Sequence, residues 1–174
     1  MTTIQKATIH DAATIATIGK QSFLESHGHS ASAADIESYI SRKYTADAVQ
    51  LELADPRNIY HLIYYNGQVA GYSKILLNTT HENIPAPNTT CLDRLYLLKD
   101  FYDLKLGAKL LEYNINLSKQ ANQAGIWLYT WTENKRAIAF YHKAGFKIVG
   151  SASFSISPTH ANPNHVMYLE YVAD

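Results

Sequence analysis

The sequence predicts an α/β fold in which helices cover both faces of a mixed β-sheet. Strand and helix patterns alternate through residues 91–146. Before that segment, an Asn66-Gly67 dipeptide between two apolar runs predicts a β-hairpin, and two further strand patterns follow the segment. Because strands that alternate with helices share one sheet beneath those helices, these observations indicate one domain over residues 1–174. At this length a single hydrophobic core is the expected arrangement.

The first half of the chain contains one strand pattern followed by three helical patterns. Alternating polarity predicts the strand, and apolar residues at helical spacing predict the helices, the last of which Pro56 brings to an end. Gly71, inside the second hairpin strand, predicts a β-bulge or the close approach of another backbone. The predicted elements are a strand at 3–8, helices at 11–25, 34–44 and 45–55, hairpin strands at 59–65 and 68–77, and polar loops at 26–33 and 78–90.

The second half alternates strand and helix until Gly145. Apolar residues from Leu106 to Ala121 follow one helical face, and Gly125 interrupts that pattern. Asn134 is typical of a helix start and Gly145 of a helix end. The predicted elements are strands at 92–98, 126–131, 147–156 and 165–171, helices at 106–121 and between Asn134 and Gly145, and a connecting loop at 157–164.

Composition narrows the classes of partner. Fifteen basic residues balance fifteen acidic ones, so no net charge favours nucleic acid or an anionic membrane. No apolar run approaches the roughly 18 residues of a membrane span, and the first residues lack a secretion pattern, which predicts a cytoplasmic protein. Cys91, the one cysteine, is expected to be a buried strand thiol. His27 and His29 have no third ligand at a suitable spacing, so we predict no metal site.

The loop before the helix at Leu106 is a candidate anion site. A helix N-terminus presents unpaired N–H groups and the positive end of the helix dipole, so Tyr102–Ala108 suit a phosphate. Gly107 would allow the backbone to approach such a ligand closely. A tight turn followed by an ordinary helix start explains the same residues equally well.

Three motifs resemble the acetyl-CoA-binding core of the GNAT superfamily of N-acetyltransferases. They are Leu95-Tyr96-Leu97, the Gly107-Ala108 pair with Leu110-Leu111 after it, and the stretch TENKRAIAFYHKAGF at 132–146. The most specific agreement is at Asn134, Ala137, Phe140, Tyr141, Gly145 and Phe146. The likeness extends weakly over the whole chain, and within the superfamily the chain most resembles the spermidine/spermine N-acetyltransferases. It implies the GNAT fold: a central, mostly antiparallel seven-stranded sheet with splayed strands 4 and 5 and helices on both faces.

The resemblance also implies acetyl-CoA as the co-substrate, with no metal. In this fold the splayed strands leave backbone groups free for the pantetheine arm, and residues 95–97 would supply them. Asn134 would cap its helix, bind the pantetheine, or do both, and Lys143 suits either a cofactor contact or a solvated helix face. The residues expected to bind the cofactor are Leu95, Tyr96, Leu97, Tyr102, Asp103, Leu104, Lys105, Leu106, Gly107, Ala108, Asn134, Ala137, Tyr141 and Lys143.

The predicted phosphate loop departs from the family pattern. That pattern usually reads Arg or Gln, two residues, Gly, one residue, then Gly or Ala. Alignment on Gly107 places Lys105 at the first glycine and Tyr102 at the Arg or Gln. Lys105 would replace part of the backbone contact to the pyrophosphate with a point charge, or else the cofactor would bind more weakly.

Two residues are predicted to carry out the acetyl transfer. An amine with a pKa of about 10.4 is protonated at pH 7, which is about 3.4 units below that pKa. A base must therefore help to remove the proton before the amine can attack. Asp93 is the predicted base, because it lies two residues before Leu95 and so on the same face of a regular strand. The polyamine-type enzymes that the chain resembles carry a carboxylate at this position. The alternative role of Asp93 is an ion pair with a nearby Arg or Lys. Tyr141 matches the family's proposed general acid, because a neutral phenol can donate to the leaving thiolate; packing on the sheet is its alternative role.

The acceptor is predicted to be a small-molecule amine. A polyamine is cationic, so its pocket should gather acidic side chains, and aromatic rings would add cation–π contacts. Two other functions stay open: acetylation of a peptide or protein amine, and a catalytically idle module that binds acyl-CoA. A homodimer stays open as well. The acidic candidates are Glu25, Asp35, Glu37, Glu82 and Asp93.

Overall fold

The computed structural model describes residues 1–173. Its strands form one seven-stranded sheet in the order β1-β2-β3-β4-β5-β7-β6. The pairs β1–β2, β2–β3, β5–β7 and β6–β7 are antiparallel, and β4–β5 is parallel, which confirms the predicted mixed sheet. In chain order the elements are β1 Thr2–Lys6, α1 Ala12–His27, α2 Ala33–Lys43, α3 Ala46–Ala54, β2 Ile59–Tyr65, β3 Gln68–Leu76, β4 Thr89–Leu97, α4 Leu106–Gln120, β5 Gly125–Trp131, α5 Lys135–Lys143, β6 Lys147–Ser157 and β7 His160–Glu170.

The chain divides into two compact units. The first contains residues 1–75 and 94–113, and the second contains residues 76–93 and those from 114 onward. The strand β4 contributes to both, because the division falls between Asp93 and Arg94. Each unit has its own hydrophobic core.

In the first unit, helices cover both faces of the β2–β3 hairpin. Leu62 of β2 packs in a cluster with residues of α1 and α3, including Ile15 and Val49. Its neighbour Ile63, which points to the opposite face, packs instead with Leu106 and Leu110 of α4. The two-residue alternation of β2 therefore places helices on both sides of this part of the sheet, as the sequence predicts.

The hairpin turn and Gly71 behave as their sequence predicts. Asn66 and Gly67 both have positive φ, at 49° and 80°, which is the conformation that a type I′ turn requires. The β2–β3 register jumps between Ile63 and Tyr64, which leaves one extra residue, Ala70, as a β-bulge. A Cβ atom on Gly71 would lie 2.1 Å from the Tyr96 carbonyl oxygen, so only glycine allows β4 to approach this closely.

In the second unit, the loop before β4 is tied to β5. Cys91 is buried with Ile84, Trp127 and Val166. The Asn78 backbone N–H donates to Gln123 Oε1 and the Gln123 Nε2 donates to Asn78 Oδ1, each at 2.9 Å. The indole N–H of Trp127 also donates to the Thr79 carbonyl oxygen at 2.8 Å. These contacts fix a segment that composition alone describes only as a polar loop.

Two predicted loops are shorter in the structure. Residues 157–164 are not a connecting loop, because β7 begins at His160 and only Pro158 and Thr159 separate it from β6. Pro163 is accommodated in the strand because its carbonyl oxygen accepts the Thr132 backbone N–H at 3.0 Å, a bond that needs no proline donor. The predicted loop at 26–33 is also too long, because α1 extends to His27 and α2 begins at Ala33. Over residues 1–173, no helix combines the length and apolarity needed to cross a bilayer.

His61 is a buried histidine on β2. It is 3% exposed, and its ring meets that of Tyr113 edge-on with the centroids 4.9 Å apart. Its Nδ1 atom has no hydrogen-bond partner among the described residues. Burial, followed by the nearby charge of Lys6, lowers the pKa of His61 from 6.5 to about 4. The folded protein therefore holds this ring neutral at pH values where the unfolded chain protonates it.

We expect stability to fall as the pH drops from 6.5 towards 4, the two pKa values of His61. In that window the unfolded chain binds a proton that the folded chain excludes, whereas above it this contribution is fully present. His61→Phe should flatten the dependence of the thermal midpoint on pH within the window. Some slope should remain, because burial also lowers the pKa of His27 to about 4. Equal slopes for wild type and variant would show that His61 does not titrate in this way.

Candidate active site

The parallel pairing of β4 with β5 is short. Thr89–Cys91 pair with Gly125–Trp127, and within residues 1–173 the ladder has no further pair although both strands continue. The strands therefore stop sharing hydrogen bonds after Cys91 and Trp127. This pattern agrees with the predicted splaying of strands 4 and 5.

The end of β4 directs backbone groups away from β3. The Leu98 N–H donates to the Ala70 carbonyl oxygen at 2.9 Å, so this position faces β3. Backbone groups alternate along a strand, so those of Leu95 and Leu97 point to the other edge. The side chains of Leu95 and Leu97 pack in the same cluster as Leu106 of α4. The Leu97 carbonyl oxygen accepts a hydrogen bond from Ser22 Oγ at 3.5 Å, so the Leu95 backbone and the Leu97 N–H are the groups that we expect to meet a ligand.

The loop before α4 contains two strained residues. Asp103 and Lys105 have positive φ, at 66° and 60°, a conformation that costs an ordinary residue roughly 1–2 kcal/mol. Lys105 is the position where the family pattern has glycine, so lysine here adopts the backbone shape for which glycine is usually selected. Leu106, 1% exposed, then anchors the first turn of α4 in the core. Tyr102 is half-buried, and Leu104 and Ala108 are exposed.

In the second unit, two carboxylates lie near an exposed tyrosine. Tyr129 of β5 is 44% exposed. Its ring lies 5.2 Å from that of Trp127 and 5.6 Å from that of His81, and these two rings are 4.9 Å apart, all measured between centroids. Desolvation raises the pKa of Tyr129, and the nearby Cys91, Glu82 and Asp93 raise it further. The exposed carboxyl groups of Glu82 and Asp93 are thus near enough to Tyr129 to disfavour its ionised form.

The helix α5 holds the other predicted residues of the second unit. Asn134 Oδ1 accepts the Ala137 backbone N–H at 3.2 Å, so Asn134 caps the helix with its oxygen and its Nδ2 is not part of the cap. Tyr141 is 9% exposed, and its ring is held edge-on between Phe140 and Phe146 at centroid distances of 5.1 and 5.4 Å. Lys143 is exposed in the last turn.

The acidic candidates do not all belong to one unit. Glu82 and Asp93 lie in the second unit, whereas Glu25, Asp35 and Glu37 lie in the first. The carboxylate of Glu25 accepts the Lys99 backbone N–H and the Gln21 side-chain N–H, both at 3.0 Å, so its hydrogen bonds hold the turn that precedes the predicted phosphate loop to α1.

Sequence reasoning missed Tyr129 and His81 as site residues. No periodicity in the sequence marks Tyr129, because β5 is a mostly apolar run in which only this residue is exposed. His81 has no signal either, because a polar loop carries no periodicity. Across the described part of the chain, no three potential metal ligands come together, and His27 Nδ1 is hydrogen-bonded to Ser26 Oγ at 2.7 Å.

Comparison with known proteins places the chain in a family. The family model described as Acetyltransferase (GNAT) family matches residues 21–146, well over half of the chain. The chain belongs to the GNAT family. It is accordingly an acetyl-CoA-dependent N-acetyltransferase, and the GNAT fold predicted from the sequence is confirmed.

Individual relatives agree with this assignment. An uncharacterized N-acetyltransferase from the pepI 3′ region of Lactobacillus delbrueckii subsp. lactis is 27% identical over 128 residues, or 74% of each chain. A spermidine N(1)-acetyltransferase of Thermoplasma acidophilum is 26% identical over 145 residues, or 83% of this chain and 88% of its own. The crystal structure of PaiA N-acetyltransferase from Thermoplasma acidophilum, in complex with coenzyme A, has a TM-score of 0.78 at 22% identity and covers 98% of this chain and 99% of that one.

We expect Lys105→Gly to stabilise the fold by roughly 0.5–1 kcal/mol, because relief of the left-handed strain exceeds the added chain entropy of glycine. Loss of the ammonium should weaken coenzyme A binding about two- to fivefold, the range of an exposed ion pair. Lys105→Asn is the matched variant, because asparagine tolerates the same backbone shape without the charge. Thermal unfolding and calorimetric titration with coenzyme A check the two effects. Unchanged affinity in both variants would exclude Lys105 from the phosphate site.

Proposed function

We propose that this GNAT enzyme acetylates a primary amine of a small cationic acceptor, such as spermidine or spermine. The proposal rests on the placement of Glu82 and Asp93 near Tyr129, in the ring cluster of His81, Trp127 and Tyr129. Glu82 follows His81 directly, and Asp93 is two residues beyond Cys91, which pairs with Trp127. Two carboxylates beside aromatic rings provide ionic and cation–π contacts for an ammonium group. The name of the Thermoplasma spermidine N(1)-acetyltransferase supports the same class of acceptor.

The residues of the first unit suit acetyl-CoA. The left-handed backbone at Asp103 and Lys105 leads into the N-terminus of α4, an arrangement of amide groups that favours an anion such as the pyrophosphate. The outward backbone groups of Leu95 and Leu97 would bind the pantetheine arm. In the second unit, Asn134 would add its side-chain amide, beside Ala137 and Lys143 on the same helix. Bound acetyl-CoA supplies the acetyl group as a thioester.

Asp93 is proposed as the base. The reacting amine arrives as an ammonium ion, and neutralising it at pH 7 costs about 4.6 kcal/mol if nothing assists. An exposed carboxylate within the acceptor region can take that proton, either directly or through water. Arg94, the neighbouring cation, directs its guanidinium to Glu52 at 3.2 Å and to the Tyr60 hydroxyl at 3.1 Å.

Tyr141 is proposed as the general acid. Its ring orientation is fixed by Phe140 and Phe146, which favours a hydroxyl group that stays in one position. A phenol is protonated at pH 7, so the hydroxyl can donate to the sulfur as the thiolate leaves.

We expect Tyr141→Phe to lower kcat by about 10²-fold or more, with little change in the KM for acetyl-CoA. The measurement is thiol release from acetyl-CoA in the presence of spermidine. Tyr64→Phe is the matched control, because it removes a phenol from β2 without touching the proposed site. An unchanged kcat in Tyr141→Phe would remove this hydroxyl from the mechanism.

The acceptor class is tested with a panel of spermidine, spermine, simple monoamines, amino acids and N-terminal peptides. Glu82→Gln should raise the KM for the polyamines about fivefold while leaving monoamines nearly unaffected, because only the polyamines carry a second ammonium. Glu170→Gln, which changes an exposed carboxylate at the end of β7, is the control.

The same panel separates the alternative functions. Thiol release with peptides alone would establish the peptide-acetylating alternative. Binding of coenzyme A with no acceleration by any amine would instead establish the idle module.

A further inference from the structure

The strand β7 carries two buried asparagines on the face of the sheet that bears Tyr129. In the antiparallel β5–β7 register, Val166 is opposite Tyr129 and Asn164 is opposite Trp131. Opposite residues share a face, and residues two apart on one strand share it as well. Val166 packs with Cys91 and Trp127, which confirms that this is the face of the aromatic cluster. Asn162 and Asn164 therefore continue that face beyond Val166.

Both side chains contain a buried polar atom without a partner. Asn164 is 7% exposed and Asn162 is 3% exposed. Within residues 1–173, Asn164 Oδ1 and Asn162 Nδ2 make no hydrogen bond. The other end of Asn162 is satisfied, because its Oδ1 lies 2.8 Å from His160 Nε2. Among the described residues, Tyr168 Oη, on the same face of β7, has no partner either. A buried polar atom left unpaired costs about 1–3 kcal/mol, so three on one strand face call for an explanation beyond folding.

The free atom of Asn164 needs a hydrogen-bond donor, and an N–H group of a ligand can be that donor. This free atom is a carbonyl oxygen, which accepts hydrogen bonds and cannot donate them. The free atom of Asn162 is its Nδ2, a donor, so we assign the ligand contact to Asn164. Aliphatic amines, whether neutral or protonated, carry the N–H donor that the Asn164 oxygen lacks.

The position along the sheet fits an elongated acceptor. Trp127, beside the loop that carries Glu82, and Trp131, opposite Asn164, are four residues apart on β5. At the rise of a β-strand this separation is about 13 Å. A chain with amino groups at two positions can therefore contact the carboxylate end and the amide end of the same face.

We propose that Asn164 is an acceptor-binding residue whose carbonyl oxygen accepts a hydrogen bond from an N–H group of an aliphatic di- or polyamine. This inference rests on the proposed function, because it places Asn164 in the binding surface for the same amine. Asn164 acts as a positioning residue: it orients the acceptor and takes no part in moving the proton or the acetyl group.

The test is steady-state kinetics of the full chain with spermidine and acetyl-CoA, for wild type, Asn164→Leu and Asn164→Asp. Leucine has a similar volume and no acceptor atom, so the KM for spermidine should rise about five- to tenfold while the KM for acetyl-CoA stays the same. Aspartate should lower the KM for spermidine, because a charged acceptor strengthens the bond to an ammonium N–H. Asn116→Leu, at an exposed position on α4, is the matched control.

A purely structural role predicts the opposite pattern. Removal of an unpaired buried amide would then leave the KM for spermidine unchanged and raise the thermal midpoint. An unchanged KM in both variants overturns the inference, and Asn164→Asp alone decides the question if the leucine variant does not fold. If the wild type acetylates spermidine and the variants match it, only the role of Asn164 fails. If no amine accelerates thiol release by the wild type, the proposed function fails and this inference fails with it.

Discussion

The early end of the β4–β5 ladder is the constraint on which the rest of the structure depends. Parallel neighbours normally share hydrogen bonds along their length, but here the pairing stops at Cys91 and Trp127 while the strands run on to Leu97 and Trp131. Backbone N–H and C=O groups need partners when they leave water. The end of β4 therefore presents N–H and C=O groups that an extended ligand can satisfy, provided that other contacts hold the strand straight.

Those contacts come from the β3 side and from a half-buried ion pair. Gly71 allows the Tyr96 backbone to approach closely, and the bulge at Ala70 provides the carbonyl oxygen that Leu98 binds. Arg94, 9% exposed, is paired with Glu52 at 3.2 Å. The guanidinium also donates to the Tyr60 hydroxyl at 3.1 Å, so two contacts oppose displacement of the strand at the residue that follows Asp93. The end of β4 is thus held without help from β5.

Local signals in the sequence were sufficient for most elements and insufficient for the site. The hairpin at Asn66-Gly67 and the helix boundaries at Asn134 and Gly145 follow from single residues whose backbone preferences are strong, and the structure contains all three. The predicted start of β7, at residue 165, is five residues later than the observed start at His160. The reason is that asparagine and proline favour turns in isolation. Pairing on both sides, with β5 and β6, overrides that preference here.

The composition of the site depends on contacts between distant segments. Nothing local brings Glu82 of a polar loop to Tyr129 of β5, and nothing local shows that Asn164 lies on a strand. Residue propensities also do not predict the left-handed conformation of Lys105, because lysine rarely adopts it. Only alignment with the family pattern points to that position. Such residues are recognised once the register is known, because register decides which side chains share a face.

In the acceptor site proposed above, the electrostatics favour two amino groups over one. An exposed carboxylate beside an ammonium stabilises the charged form by about 1 kcal/mol or less, which raises the pKa of the amine by less than about one unit. The same contact opposes deprotonation of an amine that must react. A single carboxylate at the reacting nitrogen is useful because it also receives the proton, whereas a second one there would only hold the proton on the amine. In the proposed site, Asp93 therefore meets the nitrogen that reacts, and Glu82 serves best at the second ammonium of the same acceptor.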